Sequence, residues 1–421
     1  MRDFQRHHVA TLLQRLAEPP NRIIAMFGPR QTGKTTIIKQ ALRQTQLRGL
    51  YLAVDDPVPS SVPESLFLTD PAAITGPMQP TRDAQWLVHH WESARRKAAE
   101  AENGYVLAID EIQKIPDWSE TVKGLWDADR ASASRLHVVI LGSAPLLMQS
   151  GLSESLAGRY EYLRVMHWSF REMADAFGFD LPAYAYFGGY PGAAPLRHDQ
   201  QRWRDYVLGA LVEPNIELDI LAMQRVDKPV LLKRLFELGA EYSGQFLSYN
   251  KMLGQLQDAG NTTTLARYLE LLSSAGLLAG LSKYASHAHR RRASSPKLNV
   301  LNTALMTAGS GYSFAEAQAD RSFWGRIVES AAGAHLINTA TPDIAVHYWR
   351  DAGREVDFVL QRGSRVVAIE VKGGPKSGSQ SGMDEFSRQF KPQRSQLVGS
   401  DQGMPLSEFL SVPAAEWFES S

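Results

Sequence analysis

Four residues near the start of the chain have the types and the spacing to do chemistry: Gly28, Gly33, Lys34 and Thr35. They match the pattern G-x-x-x-x-G-K-[ST], in which glycine permits backbone conformations and close approach that a side chain would obstruct. Such a loop presents several backbone N–H groups to one anion, and the following helix adds its positive end. We expect the whole segment to bind the anion, namely Gly28, Pro29, Arg30, Gln31, Thr32, Gly33, Lys34, Thr35 and Thr36.

The context of this loop favours a phosphate site over a chance glycine-rich turn. An apolar run from Ile23 to Phe27 predicts a buried parallel strand before it, and Ile37 and Ile38 begin a helical spacing after it. In such loops the lysine reaches the β- and γ-phosphates and the hydroxyl binds Mg²⁺. We therefore predict that Lys34 and Thr35 contact ATP and Mg²⁺, and that Lys34 also has a catalytic role.

A second apolar run, from Tyr105 to Ile109, is followed directly by two acids. A strand that ends in Asp-Glu, one strand beyond a phosphate-binding loop, is the Walker B pattern. Asp110 would hold Mg²⁺, directly or through water. Glu111 would polarise the attacking water as a general base.

Two further residues have catalytic and structural interpretations that the sequence leaves open. Ser143 follows the predicted strand Leu136 to Leu141, so it would either orient the hydrolytic water or cap the next helix. Arg159 precedes the predicted strand Tyr160 to Val165, and it is either an arginine finger for a neighbouring subunit or a surface arginine. The finger interpretation requires a homo-oligomer.

The composition narrows the class of protein. The 421 residues carry 45 basic and 45 acidic side chains, so no global positive charge indicates nucleic acid binding. The absence of cysteine excludes disulfides and Cys-ligated metal sites, and it fits a cytoplasmic location. No apolar run of about 18 residues occurs, so we expect no membrane partner.

Taken together, these motifs resemble the AAA+ branch of P-loop ATPases. More narrowly, the chain resembles bacterial and archaeal ATPases with a C-terminal domain of unknown function. The likeness is carried by the segments GPRQTGKTT, LAIDEIQ, LGSAPLLM, LAGRY and FGGYP. One departure is Asn302, where such proteins often have an aspartate.

The region after residue 226 has the pattern of a winged helix, with three predicted helices and a short hairpin within residues 276–283. Its third helix would present Thr262, Arg267 and Tyr268 to a DNA major groove. However, Arg267 is the only basic residue on this helix and Glu270 lies nearby. Because phosphate contacts supply most of the affinity for DNA, a protein-binding role stays open.

The last domain resembles the PD-(D/E)xK nuclease fold, as two predicted strands carry an acid and then acid-x-Lys. Asp357 and Glu370 would bind a divalent metal, and Glu329 on the preceding helix would complete the site. Glu370 and Lys372 lie two apart on a strand and face the same way, so Lys372 would hold or deprotonate water. We prefer Asp357 to Asp343, which precedes a different strand.

The predicted fold is α/β, with a parallel AAA+-like sheet, a winged helix and a small nuclease-like domain. The domains are expected at residues 1–175 (ATPase core), 176–225 (helical lid or linker), 226–290 (winged helix) and 291–421 (nuclease-like). One hypothesis is an ATPase whose C-terminal modules act on DNA. The other is a nucleotide-gated switch that recruits a protein partner and has an inactive nuclease-like domain.

Overall fold

A computed structural model gives the fold and describes residues 4–55, 82–142, 152, 155–216, 228–256, 260–285, 294–372, 381–399 and 403–419. The chain forms two units, Met1–Val165 and Met166–Ser421. In the described part of the chain, no helix is both long enough and apolar enough to cross a membrane.

The first unit is built on a parallel sheet. Its strands are β1 (Ile23–Phe27), β2 (Arg48–Ala53), β3 (Tyr105–Asp110), β4 (Leu136–Gly142) and β5 (Tyr160–Arg164). Its helices include α1 (His7–Ala17), α2 (Lys34–Gln44), α3 (Ala84–Glu100) and α4 (Trp118–Ala131). The strand order is β2-β3-β4-β1-β5, and every pairing is parallel. The predicted α/β class with a parallel sheet is confirmed.

Apolar residues on both faces explain why helices cover this sheet on two sides. Every residue of β3 and β4 is buried. Successive side chains of a strand point to opposite faces, so each strand contributes to two cores. One core joins alternate strand residues to α3 and α4 and includes Leu107, Ile109, Trp91 and Trp126. The other joins the intervening residues to α1 and α2 and includes Val106, Ala108, Leu12 and Ile37.

The strand order also determines where chemistry can occur. Strand β1 lies between β4 and β5, and the chain leaves it through α2 to reach β2 at the far edge of the sheet. This is a point where the strand order reverses, and ligands of such sheets bind beyond the carboxyl ends of the strands. The segments that follow β1 and β3 therefore lie at the same edge.

The second unit begins with helices and a two-stranded sheet. Its described elements there are α5 (Phe170–Phe177), α6 (Leu181–Phe187), α7 (Gln200–Asp205), α8 (Pro229–Glu241), α9 (Tyr249–Gln255), α10 (Thr262–Ser274), β6 (Leu278–Leu281), β7 (Lys297–Val300) and α11 (Ala304–Thr307). Strands β6 and β7 pair antiparallel. The prediction of a short hairpin within residues 276–283 is wrong, because the partner of β6 lies beyond residue 296.

Asn302 has a structural role in this unit. Its Oδ1 accepts hydrogen bonds from the backbone N–H groups of Gly189 (3.1 Å) and Ala304 (3.2 Å). The neighbouring Gly188 has a φ of 71°, and a Cβ there would lie 2.0 Å from the same oxygen. An amide oxygen and a carboxylate oxygen both accept such bonds, so the Asp-to-Asn departure keeps the contact.

The second unit ends in a mixed sheet. Its described elements are α12 (Phe314–Ala319), α13 (Arg321–Thr339), β8 (Ile344–Asp351), β9 (Arg354–Arg362), β10 (Arg365–Val371), α14 (Ser381–Phe390), β11 (Arg394–Val398) and α15 (Leu406–Phe409). The order is β11-β10-β9-β8, in which β8, β9 and β10 are antiparallel and β11 is parallel to β10. The predicted hairpin of two strands is present, with Arg362 opposite Arg365.

Candidate functional site

The loop between β1 and α2 depends on glycine at both ends. A Cβ on Gly28 would lie 1.9 Å from the carbonyl oxygen of Val165, because the loop packs directly on backbone there. Gly33 has a φ of 93° and is the N-cap of α2, with no side chain to cap the helix. The first turn of a helix has N–H groups with no intrahelical acceptor, and its dipole favours an anion.

Lys34 lies over this loop rather than in solvent. Its side chain is buried, and Nζ donates hydrogen bonds to the carbonyl oxygens of Gly28 (2.8 Å) and Pro29 (2.7 Å). The hydroxyl of Thr32 donates to the same Pro29 carbonyl (2.9 Å). Both contacts are with acceptors, so phosphate oxygens could replace the carbonyls as partners of the ammonium.

Asp110 meets the loop at the carboxyl edge of the sheet. Its Oδ2 accepts hydrogen bonds from the hydroxyl of Thr35 (2.7 Å) and from the phenol of Tyr51 (2.7 Å). Its Oδ1 accepts from the backbone N–H of Glu111 (3.0 Å). Burial and the charge of Asp110 raise the pKa of Tyr51 above its ordinary value, so the phenol stays a donor. The structure thus brings Thr35 and Asp110 together.

Tyr51 was not identified from the sequence, although it touches the predicted metal ligand. A tyrosine in an apolar strand is typical of core packing, and its hydroxyl carries no local signal. Arg6 was also missed, because its local sequence carries no signal of a contact with the loop. Its buried guanidinium donates from Nη1 to the Thr32 carbonyl (2.9 Å), so it supports the loop from α1's amino end.

Glu111 has a backbone conformation that redirects the chain at the end of β3. Its φ of 55° and ψ of 36° lie in the left-handed region, which costs a non-glycine residue free energy. Its Oε2 accepts a hydrogen bond from Nε2 of Gln113 (2.5 Å). Glu111 therefore follows Asp110 directly in sequence but lies outside the strand.

Ser143 and Arg159 are the other two predicted catalytic residues. Ser143 lies outside the described residues. Arg159 donates from Nε (2.7 Å) and Nη2 (3.0 Å) to the two carboxylate oxygens of Asp127. Its carbonyl accepts from the N–H of Ile23 at the start of β1, whereas the phosphate loop follows the end of β1. Arg159 therefore lies at the amino ends of the strands, whereas the loop lies at their carboxyl ends.

A second group of ionisable residues lies in the second unit. It contains four acids, here called the acidic cluster: Glu329, Glu355, Asp357 and Glu370. Asp357 Oδ2 accepts a hydrogen bond from the N–H of Val371 (2.8 Å), which joins β9 to β10. Lys372 Nζ donates to Glu370 Oε1 (2.6 Å). Asp343, the alternative acid, is exposed and pairs with Arg362 (2.5 Å).

One lysine that the sequence interpretation did not include lies in the middle of this cluster. Lys297 Nζ is 2.5 Å from Glu329 Oε1, 3.4 Å from Asp357 Oδ1 and 3.7 Å from Glu355 Oε1. Burial alone would lower the pKa of Lys297, but the charges of Asp357, Glu329 and Glu355 outweigh burial and raise it. The ammonium is therefore charged at neutral pH.

Burial is the main influence on the pKa values of Glu329, Glu355 and Glu370. Burial and the charge of Asp357 together raise the pKa of Glu370 to about 7, against the opposing charge of Lys372. Burial also raises the pKa of Glu329 to about 7, against the opposing charge of Lys297. The cluster therefore holds fewer negative charges at neutral pH than its four acids suggest.

A family model matches the part of the chain that carries the loop between β1 and α2. Residues 20–174 match a family model described as an AAA domain. Residues 178–315 and 324–417 match two models described as domains of unknown function, DUF8612 and DUF4143. The comparison with curated proteins finds no match.

Several solved structures are broadly similar to this chain. The Walker-type ATPase PABY2304 of Pyrococcus abyssi is 14% identical, with a TM-score of 0.45 over 72% of this chain and 95% of that one. Cdc6p from Pyrobaculum aerophilum is 15% identical, with a TM-score of 0.32 over 65% and 86%. The Aeropyrum pernix ORC1 protein, solved in complex with DNA, is 13% identical, with a TM-score of 0.29 over 74% and 94%. TM-scores below 0.5 describe only a broad likeness of fold.

Proposed function

We propose that this chain, whose residues 20–174 form an AAA-type P-loop ATPase fold, binds ATP with Mg²⁺ and hydrolyses the γ-phosphate bond. The observation that carries the proposal is the meeting of the Thr35 hydroxyl and the Asp110 carboxylate, 2.7 Å apart, beside the amino end of α2. Two hard oxygen donors at a helix N-terminus suit a divalent cation that bridges to phosphate.

The residues of the loop would share the work of binding. The backbone from Gly28 to Thr36 would enclose the phosphates, and Gly28 would let the start of the loop pack directly on the backbone of Val165. Lys34 would exchange the carbonyls of Gly28 and Pro29 for phosphate oxygens. When bound, Mg²⁺ neutralises charge on the phosphates, and Thr35 and Asp110 would hold it.

Glu111 would act as the general base for the attacking water. Its left-handed backbone follows the end of β3 directly, and Gln113 supplies a donor that keeps the carboxylate oriented. A base must lie within hydrogen-bond reach of the proton that it takes, and a fixed orientation serves that requirement.

Arg159 is proposed to act on the site of a neighbouring copy in a homo-oligomer. Its position at the amino ends of the strands, away from the loop, argues against a role in its own site. Association would have to replace Asp127 as the partner of the guanidinium. For Ser143, the sequence alone supports a role in orienting water.

The experiment that tests this function measures binding and turnover separately. Titration with a fluorescent ATP analogue should show saturable binding to the unmodified chain and none to Lys34→Ala. Glu111→Gln should bind normally and lose phosphate release by about 100-fold or more. Arg43→Ala removes an exposed cation from the other end of α2 and should change neither quantity. Undiminished phosphate release by Glu111→Gln would contradict the assigned base.

We further propose that α8, α9 and α10 with the β6–β7 pair form a winged-helix-like module. The order of elements and the antiparallel pairing support it. On α10 the exposed charges are those of Arg267 and Glu270, which cancel, and Tyr268 is buried rather than available to a base. This face therefore favours a protein partner over DNA, as in the switch hypothesis.

The last domain is proposed to have a nuclease-like fold. The support is the order α13, three antiparallel strands, α14 and a parallel strand, together with acids on α13, β9 and β10. Anisotropy of labelled duplex DNA, measured across salt concentrations, tests a DNA role for both C-terminal modules. Salt-dependent binding by the full chain would favour the DNA hypothesis.

A further inference from the structure

The acidic cluster contains its own cation. A metal-dependent nuclease centre needs carboxylates that are free to bind a divalent ion, and here an ammonium lies among them. Lys297 Nζ is within 3.4 Å of carboxylate oxygens from Glu329 and Asp357, and it also donates to the Asp357 backbone carbonyl (3.2 Å). These are the acids that the fold would offer to a metal.

The position of this lysine is fixed by its backbone. Lys297 begins β7, where it lies opposite Leu281 on one side and forms a bridge with Phe246 on the other. Its side chain has no exposed area, and Nζ lies 4.8 Å from the ring centre of Phe358. A lysine held in this way is not a mobile surface group that a metal would simply displace.

Charge and space both disfavour a metal beside it. A divalent ion takes carboxylate oxygens at about 2.0–2.6 Å, and the ammonium already lies 2.5 Å from Glu329. Two cations that share the same oxygens repel each other strongly in a buried place. Lys372, the predicted catalytic lysine, is paired with Glu370 and so reduces the negative charge further. The residues present do not fit a divalent metal.

We propose that Lys297 takes the place of the metal, so that the cluster is an ammonium-centred structural core and not a nuclease centre. The ammonium joins β7 to α13 and β9, since it contacts Glu329 on one and Asp357 on the other. Burying an ion is unfavourable in free energy unless partners compensate, and the cluster supplies those partners. This inference goes beyond the proposed ATPase activity and does not depend on it.

The test asks whether removing the ammonium creates a metal site. Every protein is the full chain with Asp110→Asn, which removes the proposed Mg²⁺-binding carboxylate at the end of β3. Mn²⁺ binding is measured by electron paramagnetic resonance for that background and for the background with Asp357→Asn. It is also measured for the background with Lys297→Met and for the background with both substitutions. We expect Lys297→Met to bind Mn²⁺ at least about tenfold more tightly than the background, and Asp357→Asn to reverse the gain.

Two results would overturn the proposal. One is a Mn²⁺ site in the background protein that disappears on Asp357→Asn, since metal and ammonium would then coexist. The other is a folded Lys297→Met variant with no gain in Mn²⁺ affinity.

If Lys297→Met does not fold, the charge-preserving Lys297→Arg replaces it and should bind no Mn²⁺. The unmodified chain is then incubated with plasmid DNA and Mn²⁺ beside an Asp357→Ala control. Absence of nicking supports the proposal, and nicking that vanishes in the control overturns it.

Discussion

Tyr51→Phe tests whether the phenol positions Asp110 for a metal. The substitution removes one oxygen and keeps the ring, over which Lys39 Nζ lies at 4.7 Å. Asp110 Oδ2 then loses its 2.7 Å donor from Tyr51 and keeps only Thr35. When Thr35 turns to a bound metal, Oδ2 would keep neither of these donors, and the N–H of Glu111 on Oδ1 would be left to orient the carboxylate.

The expected size of the effect follows from the kind of contact. Groups that orient a metal-binding carboxylate typically contribute 10- to 100-fold to metal affinity or activity. A 10- to 100-fold loss corresponds to about 1.4–2.7 kcal/mol, which is the range for a hydrogen bond to a charged acceptor. We therefore expect the Mg²⁺ concentration for half-maximal ATPase activity to rise by about 10-fold or more.

The assay separates this effect from damage to the loop. Phosphate release is measured against Mg²⁺ at fixed ATP, and binding of a fluorescent ATP analogue is measured in EDTA. Tyr51→Phe should shift the first and leave the second unchanged. Tyr160→Phe removes a hydroxyl that contacts Tyr162 at the other end of the sheet, and it should change neither. An unshifted Mg²⁺ dependence in Tyr51→Phe would refute the positioning role.

Three further predictions concern the loop, the proposed oligomer and pH. Gly28→Ala should lose nucleotide binding and cost about 1–3 kcal/mol of stability, because its Cβ would meet the Val165 carbonyl. The control Gly124→Ala lies in open space on α4 and should be neutral or stabilising. Calorimetry measures the stability of each variant, and nucleotide titration measures its binding. Arg159→Ala should abolish any rise of specific ATPase activity with protein concentration and leave nucleotide affinity unchanged, and an undiminished rise would exclude the finger. Burial lowers the pKa of His137 to about 4, and burial, against a hydrogen bond with Val412, lowers the pKa of His335 to about 4. Each neutral histidine therefore contributes stability that is fully present above pH 6.5 and is lost as the pH falls towards 4. The expected loss between pH 7 and pH 5 is about 2 kcal/mol for each histidine. Denaturant titrations at the two pH values measure this loss, and His137→Phe should reduce it.

The sequence predicted the sheet of the first unit because local pattern carries that information. Buried parallel strands are continuous apolar runs, and the β3 run ends in two acids that are hard to misplace. The predicted strand Tyr160 to Val165 differs from the observed Tyr160–Arg164 by one residue at its end. Such boundaries depend on hydrogen bonds with the neighbouring strand, which periodicity does not report.

Contacts between distant residues account for what the sequence did not predict. Tyr51 lies 59 residues before Asp110, and Lys297 lies 60 before Asp357. The segment Ser295-Pro-Lys297 is typical of an exposed turn, and only the pairing of β7 with β6 places the lysine inside. Tyr268 was similarly assigned to an exposed helix face, because a single amphipathic helix does not show which of its faces a neighbour covers.

The two sites differ in the kind of donor that holds an aspartate, and this difference decides which one suits a metal. Asp110 is held by the hydroxyls of Thr35 and Tyr51, which are neutral. Neutral donors orient a carboxylate and leave its full charge to attract a divalent ion, and a threonine hydroxyl can turn its own oxygen to the same ion. Asp357 instead lies beside the Lys297 ammonium, which already supplies the positive charge. Under the two proposals above, the same physical requirement favours Mg²⁺ at the end of β3 and disfavours it on β9, and exchanging the charge at position 297 should reverse only the second outcome.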